Sequence, residues 1–546
     1  MNLEILSLLV LLAPLGLLLS ALMARVQPGA QNDLVKRTIR VSTFINFVVA
    51  MGVALVVWQA GTVNSLVLGT QTLGISIRLD SLSALMFGMI AILSWVIFRF
   101  SFRYLEGDAR HGIFLGRMAL TVAAVQLLVL AGNVVVLWMA WVGTSLALHQ
   151  LLVFYRERKK AQMAARKKFI MARMGDLLLA GALVILTVNV GSGQLSEIFA
   201  AVNQGTLATS TQEIAALLLV GAALFKSAQF PTHSWLVEVM ETPTPVSALL
   251  HAGLLNAGPF LITRFAFVMD GTTAGPAVLI CIAAFTALFG SAAYLTQPAV
   301  KTALGYSSVA HMGFSLLSCG LGVYSAAMLH MVAHSFYKAH SFLSTGSVID
   351  QARAKKVVLP TRLHSPLRMV TALVYTLALY LGVAWVLGID PLANAALLVV
   401  GALVMLGLTQ LMTQTMDAKA PARAVVQASV LTLGVAGSFF VLERSLHGLL
   451  GSQLPTHGMP TGLLAGLMYS VLAIFALTIM LQILAPATNT HPRWRALGIH
   501  LRNGFYANAL LDRWIGALRV PTTQLAKAQP EKVRVEAPQT AEELTV

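Results

Sequence analysis

Between Leu3 and Leu484 the chain repeats one pattern, apolar runs of about 20 residues separated by short polar links. A run of that length crosses the roughly 30 Å hydrocarbon core of a bilayer as a helix. In lipid every backbone N–H and C=O must be satisfied within the protein, so a chain built this way is confined to packed transmembrane helices. Composition agrees: 57% of the residues are hydrophobic and 11% charged, where soluble domains carry about a quarter charged. An ordinary soluble enzyme is excluded. The runs place spans at 3-23, 41-59, 81-99, 113-131, 133-155, 169-190, 212-230, 244-268, 275-295, 301-320, 324-348, 368-388, 392-413, 424-441 and 461-485. The expected fold is an all-α polytopic membrane protein of fourteen or fifteen helices. The first run lacks the basic n-region and small-residue cleavage site of a signal peptide and reads as a span.

The formal net charge of +16 would fit nucleic acid if the basic residues formed one patch, but they sit in short links between apolar runs. They also sit on one parity of links. The links after spans 1, 3, 5 and 11 carry Arg25, Lys36, Arg37 and Arg40, then Arg99, Arg103 and Arg110, then Arg156 to Lys168, then Arg353, Lys355, Lys356 and Arg362, whereas 191-211 has Glu197 and no Lys or Arg. The positive-inside rule places those basic links in the cytoplasm, with the N-terminus outside and the C-terminus inside. Membrane lipid, not nucleic acid, is the expected surroundings.

Cys281 and Cys319 are the only cysteines and lie in separate spans, so no disulfide framework, four-cysteine metal site or iron–sulfur cluster can be assembled from this chain. No cofactor is expected in it. After Ala485 the composition turns polar. Ile499, Leu501, Phe505, Leu510, Leu511, Ile515 and Leu518 approximate one helical face, which points to an interfacial or partner-docking helix in a cytoplasmic tail. From Pro521 onward the tail is expected to lack order.

An ionisable group in hydrocarbon costs several kcal/mol and needs a partner, a wet cavity or a role in ion movement. The group comprises Asp176, Lys226, His251, His311, His330, His334 and Lys338, with Glu238, Glu241, Arg264, Lys301 and Asp390 nearer span ends. Pro231, five residues beyond Lys226, breaks the helix there, and broken helices at membrane depth mark ion sites. Two readings stand for Lys226: a titrating relay, or a lysine that snorkels to the surface beside Glu238 and Glu241. His330, His334 and Lys338 recur at i, i+4 and i+8, one face over about 12 Å of helix. Three titratable groups on a stripe are a proton wire more readily than packing. A metal site from the His-x-x-x-His spacing lacks a third ligand and the adjacent glutamate of a zincin. His251 follows Pro243-Thr-Pro245 and can relay between Lys226 and the stripe, while Asp176 is either an accessory acid or simply the partner of Arg173 three residues earlier.

Four blocks carry a family resemblance: Lys226-Ser-Ala-Gln-Phe-Pro-Thr-His-Ser-Trp235, Pro243-Thr-Pro-Val-Ser-Ala-Leu-Leu-His251-Ala, Lys301-Thr-Ala-Leu-Gly-Tyr-Ser-Ser308 and His330-Met-Val-Ala-His334-Ser-Phe-Tyr-Lys338-Ala. In order and spacing, over residues 80 to 350, they resemble the antiporter-like subunits of respiratory complex I and the large subunit of Mrp sodium/proton antiporters. That resemblance implies two inverted five-helix repeats with broken helices. It divides the chain into N-terminal helices at 1-112, a first repeat at 113-268, a second at 275-413, C-terminal helices at 424-485 and the tail at 486-546. It also implies that Lys226, His251, His330, His334 and Lys338 form a proton axis with Asp176 as accessory acid, and His311, Glu238, Glu241 and Asp390 as weaker candidates.

Two departures stand out. The family pairs its broken-helix lysine with the glutamate of a Gly-Trp-Glu block, and here that block reads Ala140-Trp141-Val142. The second broken helix offers only Asp390. The combination resembles the membrane subunits of bacterial DAB inorganic-carbon accumulation complexes. This implies an inner-membrane subunit that is not itself an enzyme. Its cation flow, of protons by the relay chemistry, would energise CO2 hydration to bicarbonate by DabA, a cytoplasmic zinc protein like the β-carbonic anhydrases. The zinc belongs to that partner. Alternatives are a proton-pumping subunit of an NADH-quinone oxidoreductase or Mrp antiporter, and a membrane anchor whose ion path has decayed.

Overall fold

The computed structural model describes residues 3–155, 157–239, 242–347, 366–416, 422–455, 460–488 and 492–514. Glu241, Arg156, the basic residues Arg353, Lys355, Lys356 and Arg362, and the tail beyond Trp514, including Ile515, Leu518 and the stretch from Pro521, lie outside the described residues. The N-terminal helices are α1 (Leu12–Val26), α2 (Asp33–Ala60) and α3 (Ser81–Tyr104). Then come α4 (His111–Leu130), α5 (Val134–Leu152), α6 (Lys159–Val190), α7 (Thr209–Lys226), α8 (Thr244–Ala252) and α9 (Ala257–Arg264). They are followed by α10 (Ala274–Thr296), α11 (Val300–Gly320), α12 (Tyr324–Leu343), α13 (Pro366–Val386), α14 (Ala395–Thr415), α15 (Ala422–Leu450) and α16 (Gly462–Thr488). Two tail helices close the order, α17 (Pro492–Arg502) and α18 (Ala507–Trp514). Strands are confined to Val63–Asn64 and Arg78–Leu79, an antiparallel pair in the link before α3.

Among the described residues, twelve helical segments are long and apolar enough to cross a membrane, α8 and α9 together forming one of them. The protein is a multi-pass α-helical membrane protein. The three other expected spans are helices too, α7, α11 and α12. Among their polar residues they carry Lys226, His311 and the His330 to Lys338 stripe. Several boundaries differ from expectation, and α2 already begins at Asp33, so that Lys36, Arg37 and Arg40 are helical. The basic stretch before span 6 is helical from Lys159, since Ala161, Ala164 and Ala165 favour helix and bury against the core. Span 14 continues as helix to Leu450.

Small residues set how closely these helices approach. A Cβ on Gly290 of α10 would lie 2.7 Å from the Ala310 nitrogen, and one on Gly313 of α11 2.7 Å from the Ala287 nitrogen. The two backbones therefore touch, as packing without a hydrophobic driving force requires. This contact seats His311 in a fixed place against α12, which packs on α8, α11 and α15.

At the start of α3, Asp80 is the helix cap: its Oδ1 accepts from the Ser83 nitrogen at 2.8 Å, and the Ser83 hydroxyl accepts from the Asp80 nitrogen at 2.7 Å. Arg78 reaches the same carboxylate at 2.7 Å, and buried Arg264 at the end of α9 pairs with it. Burial opposes ionisation of Asp80, but the Arg264 and Arg78 guanidiniums outweigh it and hold the carboxyl well below the usual carboxylate range.

Candidate functional site: an interior lysine and histidine axis

The helix α7 stops at Lys226. Ala228 adopts a positive φ of 51°, the Ser227 hydroxyl donates to the Leu255 carbonyl at 2.9 Å, and the chain resumes as the short helix Ser234–Glu238. Pro231, having no N–H, sits inside this break. A second interruption follows His251. The helix α8 ends at Ala252, and Asn256, buried in the turn before α9, donates to Ala252 O at 3.1 Å and to the Ser335 hydroxyl on α12 at 2.7 Å. That last bond ties the break to the turn between His334 and Lys338.

The Lys226 ammonium donates to Trp141 O, Thr144 Oγ1 and Ser145 Oγ, each at 2.9 Å, and lies 4.3 Å from the Trp141 ring centroid. Three donors meet three acceptors, so the snorkelling geometry beside Glu238 is not the one adopted. The acceptors stand at i, i+3 and i+4 on α5, one helix face. Where the resemblance expects a glutamate at position 142, neutral oxygens and an aromatic face hold the lysine. Release of a proton there strands no buried anion. Lys168, itself buried, lies beside this half-buried lysine and donates to the Ser145 carbonyl at 2.6 Å. A cavity of about 20 Å³, room for one water, touches Lys226, Lys168, Leu250 and Leu254, and the last two flank His251 in sequence.

His251 is buried, its ring stacked on Phe342 with centroids 4.5 Å apart, and neither ring nitrogen has a partner among the described residues. Phe342 lies one turn beyond Lys338, whose buried ammonium donates to the Leu304 carbonyl at 3.1 Å. Above it the stripe is realised and widened. His311 of α11 contacts His330, Nδ1 to Nε2 at 3.2 Å, and its ring centroid is 4.8 Å from that of His334. The His330 and His334 centroids are 6.0 Å apart. His311 thus supplies the third imidazole that the spacing along α12 lacked, with one nitrogen of each residue within 4.8 Å of the others. Ligands about 2.1 Å from a tetrahedral metal stand roughly 3.4 Å apart. The His311–His330 separation matches that, while the spread to 4.8 Å is too wide for a closed three-nitrogen site. What the cluster can do without moving is share protons between imidazoles.

Of the remaining candidates only Asp176 lies near the axis, within electrostatic reach of Lys226 and Lys168. Asp176 pairs with Arg173 at 2.6 Å on its own helix. Asp390 is exposed in the link between α13 and α14, capping the Leu392 nitrogen at 2.9 Å, so the second helix break expected there is a connection between two helices. Glu238 faces the basic end of the molecule. It accepts from Lys167 Nζ at 2.6 Å and from Asn508 Nδ2 at 2.5 Å, and Lys167, fully buried, also meets Asp512 at 2.5 Å. The tail is therefore docked on this protein through α18. Its apolar residues do not form the single face expected. Phe505 and Tyr506 take positive φ values of 50° and 58° and split the helix, so Phe505 packs on Phe289 at 5.7 Å while Ile499 and Leu510 remain exposed.

Thr144, Ser145, Lys168, Asn256 and Ser335 escaped the sequence reading. A Trp-x-x-Thr-Ser spacing at i, i+3 and i+4, one turn deep in an apolar span, was the available signal for the first two.

Residues 131–416 match the family described as NADH:quinone oxidoreductase/Mrp antiporter, TM, and residues 66–115 match NADH-Ubiquinone oxidoreductase (complex I), chain 5 N-terminus. The fold is shared with the Mrp complex of Dietzia sp. (TM-score 0.63, 23% identity, 94% of this chain and 60% of that one). It is shared also with the membrane-bound sulfane sulfur reductase, an archaeal respiratory membrane complex (TM-score 0.57, 18% identity, 93% and 99%). These define an antiporter-like membrane subunit. Over 519 residues the chain is 33% identical to the probable inorganic carbon transporter subunit DabB2 of Halothiobacillus neapolitanus, covering 94% of this chain and 93% of that one. The DabB protein of Hydrogenovibrio crunogenus is 36% identical over 282 residues (52% of this chain, 54% of that one), and NADH-quinone oxidoreductase subunit L of Escherichia coli 34% over 284 (52% and 46%). The chain belongs to the DabB family of the complex I and Mrp antiporter-like superfamily.

Proposed function

We propose that this chain is the proton-conducting membrane subunit of an inorganic-carbon accumulation complex in a bacterial inner membrane, with its basic links and C-terminus in the cytoplasm. The observation that carries this reading is a run of titratable groups, Lys226, His251, Lys338, His334, His311 and His330, none of which is ion-paired among the described residues. A buried lysine or histidine without a counterion exchanges its proton without breaking a salt bridge. In the proposed path a proton passes from the three imidazoles by way of Lys338 to His251 and crosses the adjoining water-sized cavity to Lys226 Nζ. Asn256 and Ser335 position the break that lets α8 meet α12.

The work is delivered to a cytoplasmic zinc partner resembling β-carbonic anhydrases, DabA in the family, which hydrates CO2 to bicarbonate. One charge crossing 100 mV releases about 2.3 kcal/mol, enough to bias a partner's two states by roughly 50-fold. The match over 519 residues, 33% identical, to a probable inorganic carbon transporter subunit supports this reading over a quinone-linked or Mrp-type pump. In cells expressing this chain and its zinc partner, an uncoupler stops bicarbonate accumulation. Accumulation that persists after full uncoupling without a sodium gradient would leave the chain a mere anchor.

A further inference from the structure

On the face opposite the basic links, the bundle opens into a cavity of about 620 Å³, lined by the ends of α10, α12, α14, α15 and α16. Its walls bring together residues far apart in sequence: Asp270 and Thr272 before α10, Tyr324 and Ser325 at the start of α12, and Glu443 and His447 near the end of α15. Glu443 is the unusual member. It is buried, 7% exposed, and its Oε1 accepts from the Ser325 hydroxyl at 2.6 Å. Ser325 is in the first turn of α12.

The position of Ser325 gives the cavity a destination. It precedes His330 by five residues on the same helix, about 7.5 Å along the axis and about 140° around it. From His330 the imidazole cluster and Lys338 continue inward. The field on this face also fits a cation: segments 191-213, 268-276 and 387-394 contain Glu197, Glu213, Asp270 and Asp390 and no Lys or Arg.

We propose that this cavity is the outer mouth of the proton path and that Glu443 is its first acceptor, handing protons through water to His330. This rests on the proton-conducting reading above. The carboxylate missing at position 142 of the axis is thus matched by one at the outer end of the stripe, on a helix outside the two implied repeats.

Two measurements on the full chain with its co-purified partner test it. In a Cys281→Ser, Cys319→Ser background, Ser325→Cys or Thr272→Cys should react with a membrane-impermeant thiol reagent added outside whole cells and not with reagent confined to the cytoplasmic side of inverted vesicles. In proteoliposomes under an imposed membrane potential, Glu443→Gln should lower proton uptake by roughly tenfold or more, with Glu443→Asp restoring most of it. Labelling at both positions from the cytoplasmic side only, or undiminished uptake in the glutamine variant beside an active wild type, overturns the mouth and leaves the axis standing. A wild type that takes up no protons overturns the underlying reading, and the mouth falls with it whichever way the labelling goes.

Discussion

The charges at the two ends of the bundle and those in its middle are held by opposite means. At one end Asp80 is clamped by Arg78 and Arg264, and at the other Lys167 is enclosed by Glu238, Asn508 and Asp512. In the middle, Lys226 and Lys338 are held by carbonyls, hydroxyls and rings, His311 and His330 by each other, and His251 and His334 by ring packing among the described residues. Asp176, a carboxylate near Lys226, is engaged by Arg173. A buried ion pair with several hydrogen bonds fixes its partners, because removing either leaves a stranded charge. A buried base satisfied by neutral acceptors is free to change charge. The ends lock the bundle; the middle moves protons through it.

This contrast predicts opposite phenotypes. Lys338→Met should abolish proton uptake in proteoliposomes, a loss of at least roughly 100-fold, while leaving the unfolding temperature in detergent unchanged or higher, since an unpaired buried amine is replaced by an apolar chain of similar length. A marked loss of stability would mean that Lys338 is structural. Asp80→Asn should do the reverse, costing about 3–5 kcal/mol of stability by stranding Arg264, with uptake per folded molecule preserved. Because the guanidiniums hold Asp80 below the usual carboxylate range, its contribution is complete above that range and is lost only as pH falls through the depressed value. The wild-type advantage over Asp80→Asn should therefore stay constant from about pH 8 to about pH 5 and shrink only in stronger acid. His334→Ala comes next, a loss of roughly tenfold in uptake, because the His311–His330 contact survives while the step to Lys338 lengthens. The smallest effect is expected of the double variant Thr144→Val, Ser145→Ala. It removes two of three acceptors from Lys226 and should slow uptake a few-fold, with the Trp141 carbonyl and ring retaining the lysine in place.

What was legible in the sequence follows the same divide. Polar residues inside apolar runs identify themselves, because hydrocarbon tolerates so few of them, and Lys226, His251 and the α12 stripe were visible on that ground alone. Groups that act through a neighbour on another helix were not. His311 stood only as a weaker candidate until the closure of α10 and α11 at Gly290 and Gly313 turned it onto His330. Thr144 and Ser145 are ordinary residues for a membrane helix, and only the fold points them at a lysine some 80 residues away. Lys167 was one of many basic residues in a link, and its burial depends on Asp512, whose position along the chain carries no hint of the contact. The tail pattern misled for a local reason. An amphipathic repeat presumes one continuous helix, and Phe505 and Tyr506 break it with left-handed backbone angles.

The central claim is that Lys226 gives up and regains a proton. It is tested most directly by proton uptake into proteoliposomes under an imposed membrane potential, comparing wild type with Lys226→Arg in the full chain with its co-purified partner. Guanidinium keeps the positive charge but does not release its proton, so the account predicts normal assembly and no uptake above the level of empty liposomes. Uptake at the wild-type rate in the arginine variant would contradict it, leaving Lys226 a fixed charge in a path that runs elsewhere.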